Sequence, residues 1–539
     1  MKSKISTKAA LWLLAGASGV LMSIPWLVPH TGLLALVGFV PLLLAEYIAT
    51  GAKVKHFWIW HYSSFVLWNA LTTFWVCNAT VGGGIFAVLA NSLQMSIVFG
   101  LFRLARRKLS GAVPYIFLAA AWIAWERWYL TSAEISWPWL VLGNAFATSI
   151  KDIQWYSITG TLGGSLWVWC ANLGIFGLLT ALVSGRWQGW TKAARISAIS
   201  ALALLFVGLP VVSGIMYASY KEVSEKQVSV LIGQPNLDPY HKFNALTQRA
   251  QNDLFLGLVE GPLNEEPADL LLAPETFTGD IFLNDIPSSP TWQRFHEFLG
   301  NHPGTDFLFG ASTNELFSTR SAPSLLSYPY GDGWRMPHNS ALMLSADGRT
   351  EVFHKSKLVV GTELTPYPKF FVPLDNWLSE RMGVTALMAR DSGQEEISLL
   401  HLSDGTPLGC AVCYKSVYGE YCTGYASRGA GFLTVITNDA WWGNTPGYRQ
   451  HCSYSRLRAI ETRRDIARCG NTGISCFIDQ RGDIVSRGPW WEEATLRGTV
   501  NVNTRQSFFT RHGDIVGRVS TLVFLLLLAL LIVSLFRKK

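Results

Sequence analysis

Charged residues are scarce in this chain of 539 residues, because Asp, Glu, Lys and Arg together make up only 15% of it. Soluble domains carry about 25%. Hydrophobic residues reach 49%, and nearly all long apolar runs fall before Tyr217 or after Arg518. The composition therefore excludes an ordinary soluble protein and indicates that both ends of the chain are buried in a membrane.

Signals for nucleic-acid binding are also missing. The sequence has no Walker loop, no zinc-finger spacing and no continuous basic helix. Its formal net charge of +7 comes largely from short basic clusters beside apolar runs, which is typical of membrane topology signals. We therefore expect no nucleic-acid partner. The sequence contains no internal repeat and no low-complexity tract.

The cysteines do not follow a metal-binding pattern. Cys410 and Cys413 form a C-x-x-C pair, but no second pair stands at zinc spacing. We therefore expect no metal and no cofactor. Most of the eight cysteines are interpreted as small buried residues, and one disulfide is left open, without an assigned pairing.

Long apolar runs are what the sequence has instead. A helix needs about 20 mostly apolar residues to cross a bilayer. Eight runs qualify, at about 9–27, 31–49, 57–77, 83–102, 112–130, 161–183, 196–217 and 519–536. The first follows three lysines as a signal peptide does, but six more runs follow almost at once, so we interpret it as an uncleaved helix.

The orientation of these spans is predicted from their basic flanks. Basic residues occupy alternate connections and both termini, namely Lys2, Lys4, Lys8, Lys53, Lys55, Arg103, Arg106, Arg107, Lys108, Arg186, Lys192, Arg195 and Arg537, Lys538, Lys539. The intervening short loops near 25–31 and 78–83 contain no Lys or Arg. The positive-inside rule then places both termini in the cytoplasm and residues 226–508 on the opposite side.

Residues 226–508 have the pattern of a layered α/β domain. Short β-rich runs recur, several of them apolar throughout as strands buried on both faces are, at 228–232, 270–273, 307–310, 340–344, 399–402, 408–412, 432–437 and 498–502. Amphipathic helices are predicted at about 242–259, 290–300 and 449–468. We thus expect a membrane domain (1–225), an α/β domain (226–508) and an eighth helix with a basic tail (509–539).

Three reactive side chains stand at or just past predicted strand ends. Glu275 follows Leu-Leu-Ala-Pro, Lys355 follows Val-Phe-His, and Cys413 follows Gly-Cys-Ala-Val. Open α/β sheets place their sites at such positions. A cation such as Lys355 lowers the pKa of a nearby thiol, Glu275 can act as its base, and Lys355 with a backbone N–H after Cys413 can hold an oxyanion. The trio predicts acyl transfer.

Several strings around these residues make a resemblance specific. They are Ala-Pro-Glu275-Thr, His-Lys355-Ser-Lys-Leu-Val, Gly-Thr-Glu363, Cys413-Tyr414, Thr437-Asn438-Asp439-Ala-Trp441-Trp442-Gly443, Arg458-Ala-Ile-Glu461 and Asn471-Thr-Gly473. The domain resembles the nitrilase or carbon–nitrogen hydrolase superfamily, which implies an αββα sandwich. With eight spans and the Trp137–Gly143 string, the whole chain resembles the apolipoprotein N-acyltransferase family.

The resemblance implies roles for individual residues. Glu275 is the implied general base, Lys355 the oxyanion stabiliser and Cys413 the nucleophile, with Glu363 and Tyr414 in support. Lys357 is an alternative to Lys355, but the eight-residue spacing to Glu363 favours Lys355. Substrate-binding candidates are Trp139, Trp441 and Trp442, the last two with plain core packing as an equal alternative.

One position departs from the family pattern. Where the family has an acidic residue two positions after the nucleophile, this chain has Lys415. Reversing that charge at roughly 6 Å, with an effective dielectric constant of about 20, changes local energies by about 3 kcal/mol per unit charge. A cation there can keep Cys413 ionised, or its presence can remove a partner that holds Lys355.

The resemblance implies a two-step reaction in a bacterial inner membrane, with the catalytic domain periplasmic. Cys413 takes a fatty acyl chain from a phospholipid, and the α-amino group of a diacylglyceryl-cysteine lipoprotein then receives it. Two alternatives stay open: a membrane-bound amidohydrolase, and a catalytically impaired lipoprotein-binding homologue, which Lys415 would explain. Nothing in the sequence suggests more than a monomer.

Overall fold

The structure, a computed structural model, describes residues 6–239, 246–384 and 386–536. Some predicted features lie outside these ranges. They are the basic residues Lys2, Lys4 and Arg537–Lys539, and the start of the helix predicted at about 242–259.

Residues 6–220 are mainly helical. Their bounds are α1 (Thr7–Leu27), α2 (Ala35–Gly38), α3 (Val40–Gly51), α4 (Trp58–Thr73), α5 (Val76–Ala79), α6 (Val81–Lys108), α7 (Val113–Thr131), α8 (Tyr156–Thr159), α9 (Thr161–Val183), α10 (Lys192–Ala203) and α11 (Leu209–Ser219). Helices α1, α6 and α10 are capped at their N-termini by a side-chain hydroxyl. The capping residues, each of which accepts a hydrogen bond from the backbone N–H three residues later, are Ser6, Thr80 and Thr191.

Six helical segments within the described residues are long and apolar enough to cross a membrane. They are Thr7–Leu27, Gly32–Gly51, Val81–Lys108, Thr161–Val183, Lys192–Ser219 and Ile515–Phe536. Two of the eight predicted spans fall short of that test. Helix α4 has 16 residues, about 24 Å at 1.5 Å per residue, and α7 carries Glu126 and Arg127 near its end. The count of eight spans stays a prediction.

Several of these segments leave their apolar side chains uncovered. Large apolar side chains are exposed along residues 192–219, which contain α10 and α11, and along the last helix, including Ile199, Leu204, Val211, Ile215, Leu522, Leu526 and Val533. Soluble monomers rarely expose contiguous apolar surface of this kind. The helical region therefore has the surface of a protein embedded in lipid.

The α/β domain follows, with most strands longer than predicted. Its elements are β1 (Lys226–Gln234), α12 (Gln248–Glu265), β2 (Leu270–Leu272), β3 (Thr278–Phe282), α13 (Pro290–Gly300), β4 (Asp306–Phe317), β5 (Tyr328–Tyr330), β6 (Gly333–Leu344), β7 (Thr350–His354), α14 (Pro368–Met382), β8 (Leu400–His401), β9 (Pro407–Val412), α15 (Gly419–Ser427), β10 (Phe432–Thr437), α16 (Pro446–Thr462), β11 (Ile466–Gly470), β12 (Cys476–Ile478), β13 (Ile484–Arg487) and β14 (Ala494–Val502). Helices α17 (Phe508–His512) and α18 (Ile515–Phe536) end the described chain.

Two sheets form the centre of this domain. The first has the order β14-β1-β2-β4-β6-β5, with β3 added beside β4 and β7 beside β6. The second has the order β13-β12-β11-β10-β9-β8. Their middle strands run parallel, β1 with β2 and β4, and β9 with β10 and β11. Such strands are buried on both faces, which explains their continuous apolar sequences.

The order of the layers is deduced from which side chains pack in the same hydrophobic core. Alternate residues of β1 divide between two clusters: Val230 joins the core shared with the second sheet, and Leu231 joins the core under α12 and α13. Helices α15 and α16 supply Tyr425 and Cys452 to the core on the side of the second sheet. The order is therefore helix, sheet, sheet, helix, as the αββα prediction states.

Some elements escaped sequence analysis for identifiable reasons. Strand β11 is fully buried, but its charged Arg468 interrupts the apolar pattern that signals a buried strand. Helices α14 and α15 carry an internal Pro373 and a Gly424 respectively, both weak helix formers. The helix predicted at 449–468 ends earlier, at Thr462, because the chain turns through a left-handed Arg463 into β11.

The helical region and the α/β domain are packed together through α16. Gln450 accepts hydrogen bonds from the indole N–H groups of Trp139 (2.7 Å) and Trp75 (3.3 Å) and donates to the carbonyl of Trp26 (3.0 Å). At the other end of the helix, Glu461 accepts from the backbone N–H of Thr161 (2.9 Å). These buried contacts fix the α/β domain against the helices.

Candidate active site

The structure brings the three predicted site residues to one place between the two sheets. Glu275 follows β2 and Lys355 follows β7 in the first sheet, while Cys413 follows β9 in the second. All three are buried, with exposures of 6%, 1% and 9%. Lys355 Nζ lies 2.9 Å from Glu275 Oε1, and the Cys413 thiol lies in the electrostatic field of both groups.

Lys355 is held by two carboxylates. Its ammonium donates to Oε1 of Glu275 (2.9 Å) and to Oε1 of Glu363 (2.7 Å). Burial pulls the pKa of Lys355 down, but the two carboxylates outweigh burial and raise it above its ordinary value. The side chain therefore stays an ammonium at any physiological pH, which an oxyanion-stabilising group requires.

Asn339 completes this cluster, and sequence analysis did not single it out. Its side-chain NH₂ group donates to Glu275 (2.9 Å) and to Glu363 (2.8 Å). Its backbone carbonyl accepts a hydrogen bond from the Lys355 backbone N–H (2.8 Å). An Asn inside a strand-like run carries no signal of its own. Its role depends on the antiparallel pairing of β6 with β7, which places Ser340 opposite His354.

The backbone around Glu275 is positioned by close packing. Its second carboxylate oxygen accepts from the backbone N–H of Asn438 (3.2 Å), which belongs to the turn after β10 in the second sheet. A side chain at Gly310 of β4 would lie 2.6 Å from the Glu275 Cα, so only glycine allows this approach. Glu275 therefore connects the two sheets at the site.

Cys413 lies at a sharp turn between β9 and a 3-10 turn, residues 413–417. Its φ of +49° is the left-handed region, which costs a non-glycine residue of order 1 kcal/mol or more. The carbonyl of Cys413 accepts from the Ser416 hydroxyl (2.8 Å) and lies 3.1 Å from His451 Nε2. These two contacts hold the strained turn in place.

His451 is in turn fixed by a fully buried ion pair. Asp439 Oδ1 lies 2.8 Å from His451 Nδ1, and Asp439 Oδ2 accepts from the Arg468 guanidinium at 2.6 Å. Burial alone would raise the pKa of Asp439, but His451 and Arg468 lower it to about 2. Sequence analysis noted the string containing Asp439 but missed His451 and Arg468, because they lie on α16 and β11 without a local motif.

The same cluster has the ligand types of a metal site. The ligand atoms of Cys413, Asp439 and His451 lie within 4.8 Å of one another, a grouping found among the described residues. Both oxygens of Asp439 are already bonded to His451, Arg468 and Thr437. A carboxylate so occupied is a poor cation ligand, and its contacts instead support the turn at Cys413.

The Cys413 thiol is not activated by its surroundings at rest. Burial is the largest influence and raises its pKa, the Glu275 carboxylate raises it further, and the Lys355 ammonium offsets only part of this. Lys355 lowers the pKa of Cys413 as expected, but burial and the Glu275 carboxylate outweigh this effect, so the pKa of the thiol is raised overall. The thiol is protonated at rest and needs a base.

The predicted aromatic residues form the boundary between the site and the helical region. The Tyr414 hydroxyl donates to the Ser136 carbonyl (3.0 Å), and its ring stacks on Trp137 at 5.9 Å. Trp139 is fully buried and packs against Trp442 at 5.6 Å. Trp441 and Trp442 are half-buried. Substrate contact by Trp139, Trp441 and Trp442 stays a prediction.

Lys415, the departure from the family pattern, points into an aromatic cage. It is 0% exposed, and its ammonium nitrogen lies 3.8 Å from the ring centre of Phe353 and 3.9 Å from that of Tyr421. It donates to the Ser356 hydroxyl (3.2 Å), and no carboxylate contacts it among the described residues. Burial lowers the pKa of Lys415 well below its ordinary value.

Lys357, the alternative to Lys355, lies outside the cluster. It donates to the carbonyl of Thr131 (3.1 Å) and lies over the ring of Tyr418 at 5.3 Å. The geometry thus agrees with the choice that the spacing to Glu363 favoured.

Two family models match this chain. The carbon-nitrogen hydrolase model matches residues 232–508, and the apolipoprotein N-acyltransferase N-terminal domain model matches residues 18–174. The first match covers more than half of the 539 residues.

Relatives match over nearly the whole chain. A protein of Chlorobaculum tepidum named apolipoprotein N-acyltransferase is 27% identical over 509 residues, covering 93% of each chain. One of the same name from Geobacter metallireducens is 26% identical over 513 residues, covering 94% of this chain and 92% of its own. A crystal structure of a nitrilase-superfamily member from Saccharomyces cerevisiae covers 52% of this chain and 93% of its own, with 15% identity and a TM-score of 0.37.

Proposed function

This chain belongs to the carbon–nitrogen hydrolase family, with the N-terminal domain of the apolipoprotein N-acyltransferases ahead of it, and we propose that it moves a fatty acyl chain from a phospholipid to the α-amino group of a diacylglyceryl-cysteine lipoprotein. The observation that carries this proposal is the buried Lys355 ammonium between Glu275 and Glu363, beside a protonated cysteine. Buried charge clusters of this kind are typical of catalytic sites.

In the first half-reaction, Glu275 takes the proton of the Cys413 thiol and the sulfur attacks the ester carbonyl of the phospholipid. Lys355 and the backbone N–H after Cys413 stabilise the oxyanion of the tetrahedral intermediate. The carbon–oxygen bond then breaks, and Glu275 returns the proton to the leaving alkoxide. The products are a lysophospholipid and a thioester on Cys413.

In the second half-reaction, the α-amino group of the acceptor attacks the thioester. Glu275 takes a proton from the attacking amine, the carbon–sulfur bond breaks, and the Cys413 thiolate recovers that proton. The buried position of Cys413 supports this outcome, because exclusion of water favours the amine over hydrolysis of the thioester.

The arrangement in the membrane is part of the proposal. We assign seven spans to residues 1–225 and an eighth to 509–539, with both termini cytoplasmic in a bacterial inner membrane and residues 226–508 periplasmic as a monomer. The packing of α16 against Trp26, Trp75 and Trp139 supports a catalytic domain held close to the bilayer. Both lipid-anchored substrates then reach it by lateral diffusion.

The test is acyl-enzyme formation with a phospholipid carrying a radiolabelled acyl chain. Wild-type protein is expected to acquire label that hydroxylamine removes, as it does from thioesters, and Cys413→Ser is expected to acquire none. Cys410→Ser is the matched control, because Cys410 is also buried and lies on β9, the strand that leads into Cys413. Equal labelling of Cys413→Ser and wild type would refute the proposal.

An incubation without the lipoprotein acceptor distinguishes an acyltransferase from an amidohydrolase. An acyltransferase incubated with phospholipid alone stops after one turnover per enzyme, because water is a poor acceptor in the closed site. A hydrolase keeps releasing fatty acid. Continuous release without an amine would replace the proposed function with hydrolysis.

A further inference from the structure

Two thiols outside the catalytic site face one another. Cys452 of α16 and Cys476 of β12 have their sulfurs 3.8 Å apart, and both side chains are buried. All eight cysteines lie in the described part of the chain, and no other pair of them has its sulfurs in contact. The sequence leaves one disulfide open without a pairing, and the contact between Cys452 and Cys476 selects a pair.

We propose that Cys452 and Cys476 form a structural disulfide in the mature protein. The proposal rests on the periplasmic location of residues 226–508 given above, since disulfides persist in oxidising compartments and are rare in the cytosol. A disulfide needs a sulfur–sulfur distance of about 2.05 Å. Sulfurs already in van der Waals contact require an approach of about 2 Å, which side-chain rotation can supply.

The bond forms by exchange with an existing disulfide, either a small-molecule disulfide or a disulfide oxidoreductase of the compartment. The Cys452 thiolate attacks one sulfur of that disulfide and displaces the other as a thiolate. The Cys476 thiolate then attacks Cys452, which closes the bridge and releases the second thiolate. The protein loses two protons and two electrons, and the oxidant gains them as two thiols.

In the folded protein, the surroundings stabilise the thiolate of Cys452 more than that of Cys476. A hydrogen bond from Cys476 is the main cause that lowers the pKa of Cys452, to about 7, and the nearby Arg468 guanidinium contributes to the shift. Because both sulfurs are buried in the native fold, exchange takes place before the domain closes. Burial then protects the finished bridge from reduction.

The remaining cysteines lack a comparable partner. The Cys469 thiol donates to the carbonyls of Gly233 (3.3 Å) and Leu272 (3.7 Å) instead of facing a sulfur. Cys413 likewise has no sulfur in contact. A bridge between Cys452 and Cys476 therefore leaves the nucleophile free while it ties α16, which carries His451, to β12.

The experiment is mass spectrometry of the full-length protein, purified from membranes after alkylation of free thiols in denaturant without a reductant. We expect Cys452 and Cys476 to be unmodified and their peptides linked, with a mass 2 Da below that of the two thiols. Cys410 and Cys413 serve as internal controls and are expected to be alkylated. Alkylation of both Cys452 and Cys476 would overturn the proposal.

A thermal-unfolding series gives a second readout. Cys452→Ala and Cys476→Ala are each expected to lower the Tm by about 5 °C or more, and the double variant no further, because each single change already removes the bridge. Under a reductant that opens disulfides in the unfolded protein, wild type is expected to fall to the same Tm. A wild-type Tm that reductant does not change, while Cys410→Ala also behaves as wild type, would contradict the bridge.

A failure of the bridge is distinguishable from a failure of the topology. Ser321 is exposed in the α/β domain, so Ser321→Cys reports its side of the membrane through a membrane-impermeant maleimide applied to cells with a permeabilised outer membrane. If the Ser321→Cys thiol is labelled while Cys452 and Cys476 are found as free thiols, the disulfide alone is rejected. Absence of labelling rejects the periplasmic location, and the disulfide with it.

Discussion

Two lysines flank Cys413, and both are buried in this structure. The carboxylate pocket of Lys355 contains Glu275 and Glu363, within 2.9 Å of its ammonium. The aromatic cage of Lys415 contains Phe353 and Tyr421, with one hydroxyl partner and, in the described part of the chain, no carboxylate. Burial lowers the pKa of both groups, but carboxylates reverse the sign for Lys355 and aromatic rings do not for Lys415.

The difference teaches that a lysine next to a nucleophile is not by itself a catalytic cation. Two anions raise the pKa of Lys355, whereas burial lowers the pKa of Lys415 because its aromatic neighbours supply only weak attraction. We therefore infer that Lys415 neither ionises Cys413 nor displaces Lys355. The cluster around Lys355 is complete without an acidic residue at 415.

The largest effect is expected from Lys355→Met. The variant loses the oxyanion-stabilising ammonium, so the rate of acyl-enzyme formation is expected to fall by about 10³-fold. It also leaves Glu275 and Glu363 buried without their cation, which costs about 3–5 kcal/mol of unfolding free energy. Single-turnover labelling and thermal unfolding measure the two losses. A variant within tenfold of the wild-type rate would remove Lys355 from the mechanism.

The next effect concerns stability and its dependence on pH. The pKa of Lys415 is lowered from 10.5 on folding, so between the folded pKa and 10.5 the unfolded chain binds a proton that the folded chain does not. Stability then rises with pH through this window. Lys415→Met is expected to be more stable than wild type by about 1 kcal/mol at pH 7, with the advantage shrinking towards pH 10.

Thermal unfolding of both proteins in detergent at pH 7 and pH 9.5 measures this difference. The opposite sign is expected for Lys355, whose raised folded pKa contributes stability that is fully present below 10.5 and is lost only at higher pH. A Lys415→Met variant that is less stable than wild type at pH 7 would show that the cage stabilises the charged form.

The acyl-transfer activity of variants at position 415 distinguishes an active enzyme from an impaired homologue. If the carboxylate pocket suffices, Lys415→Met is expected to retain activity within about threefold of wild type, because the substitution removes no group that contacts the cluster. Lys415→Glu is then expected to bring no large gain. Activity that appears only in Lys415→Glu would establish that this chain is an impaired, lipoprotein-binding member of its family.

The smallest effect is expected from Lys357→Met, the matched control for Lys355→Met. Lys357 contacts the Thr131 carbonyl and the Tyr418 ring at the boundary with the helical region. Acyl-enzyme formation is expected to stay within about twofold of wild type in the single-turnover assay. A loss as large as that of Lys355→Met would mean that the two lysines cannot be distinguished by the spacing to Glu363.

Much of the fold was predictable from sequence. Fully apolar runs such as 432–437 and 408–412 became buried parallel strands at nearly the predicted bounds. Strand β11 was missed because Arg468, a charge in a buried strand, makes sense only once Asp439 is seen to pair with it. Spans at 57–77 and 112–130 read as apolar but contain a 16-residue helix and a helix with Glu126.

The residues of the candidate site were also only partly predictable from the sequence. Glu275, Lys355 and Cys413 were identified from strand ends and family motifs, and Glu363 from its spacing. Asn339, His451 and Arg468 were not, because each contacts the site across a strand pairing or a helix packing that no local pattern encodes. The direction of the Cys413 pKa was also wrong in sequence analysis, since burial outweighs a cation that is already neutralised.

The sequence by itself determined the division into apolar helices and an α/β region, the family, and the choice of Cys413 as the candidate nucleophile, because periodicity and motifs are local properties. Tertiary structure alone decided which lysine lies between two carboxylates, which residues hold the Cys413 turn, and which two of eight cysteines meet. Those outcomes depend on burial and on partners as far as 80 residues apart in the chain, as Lys355 and Glu275 are, and the energy of a charge or a thiol is set by its surroundings.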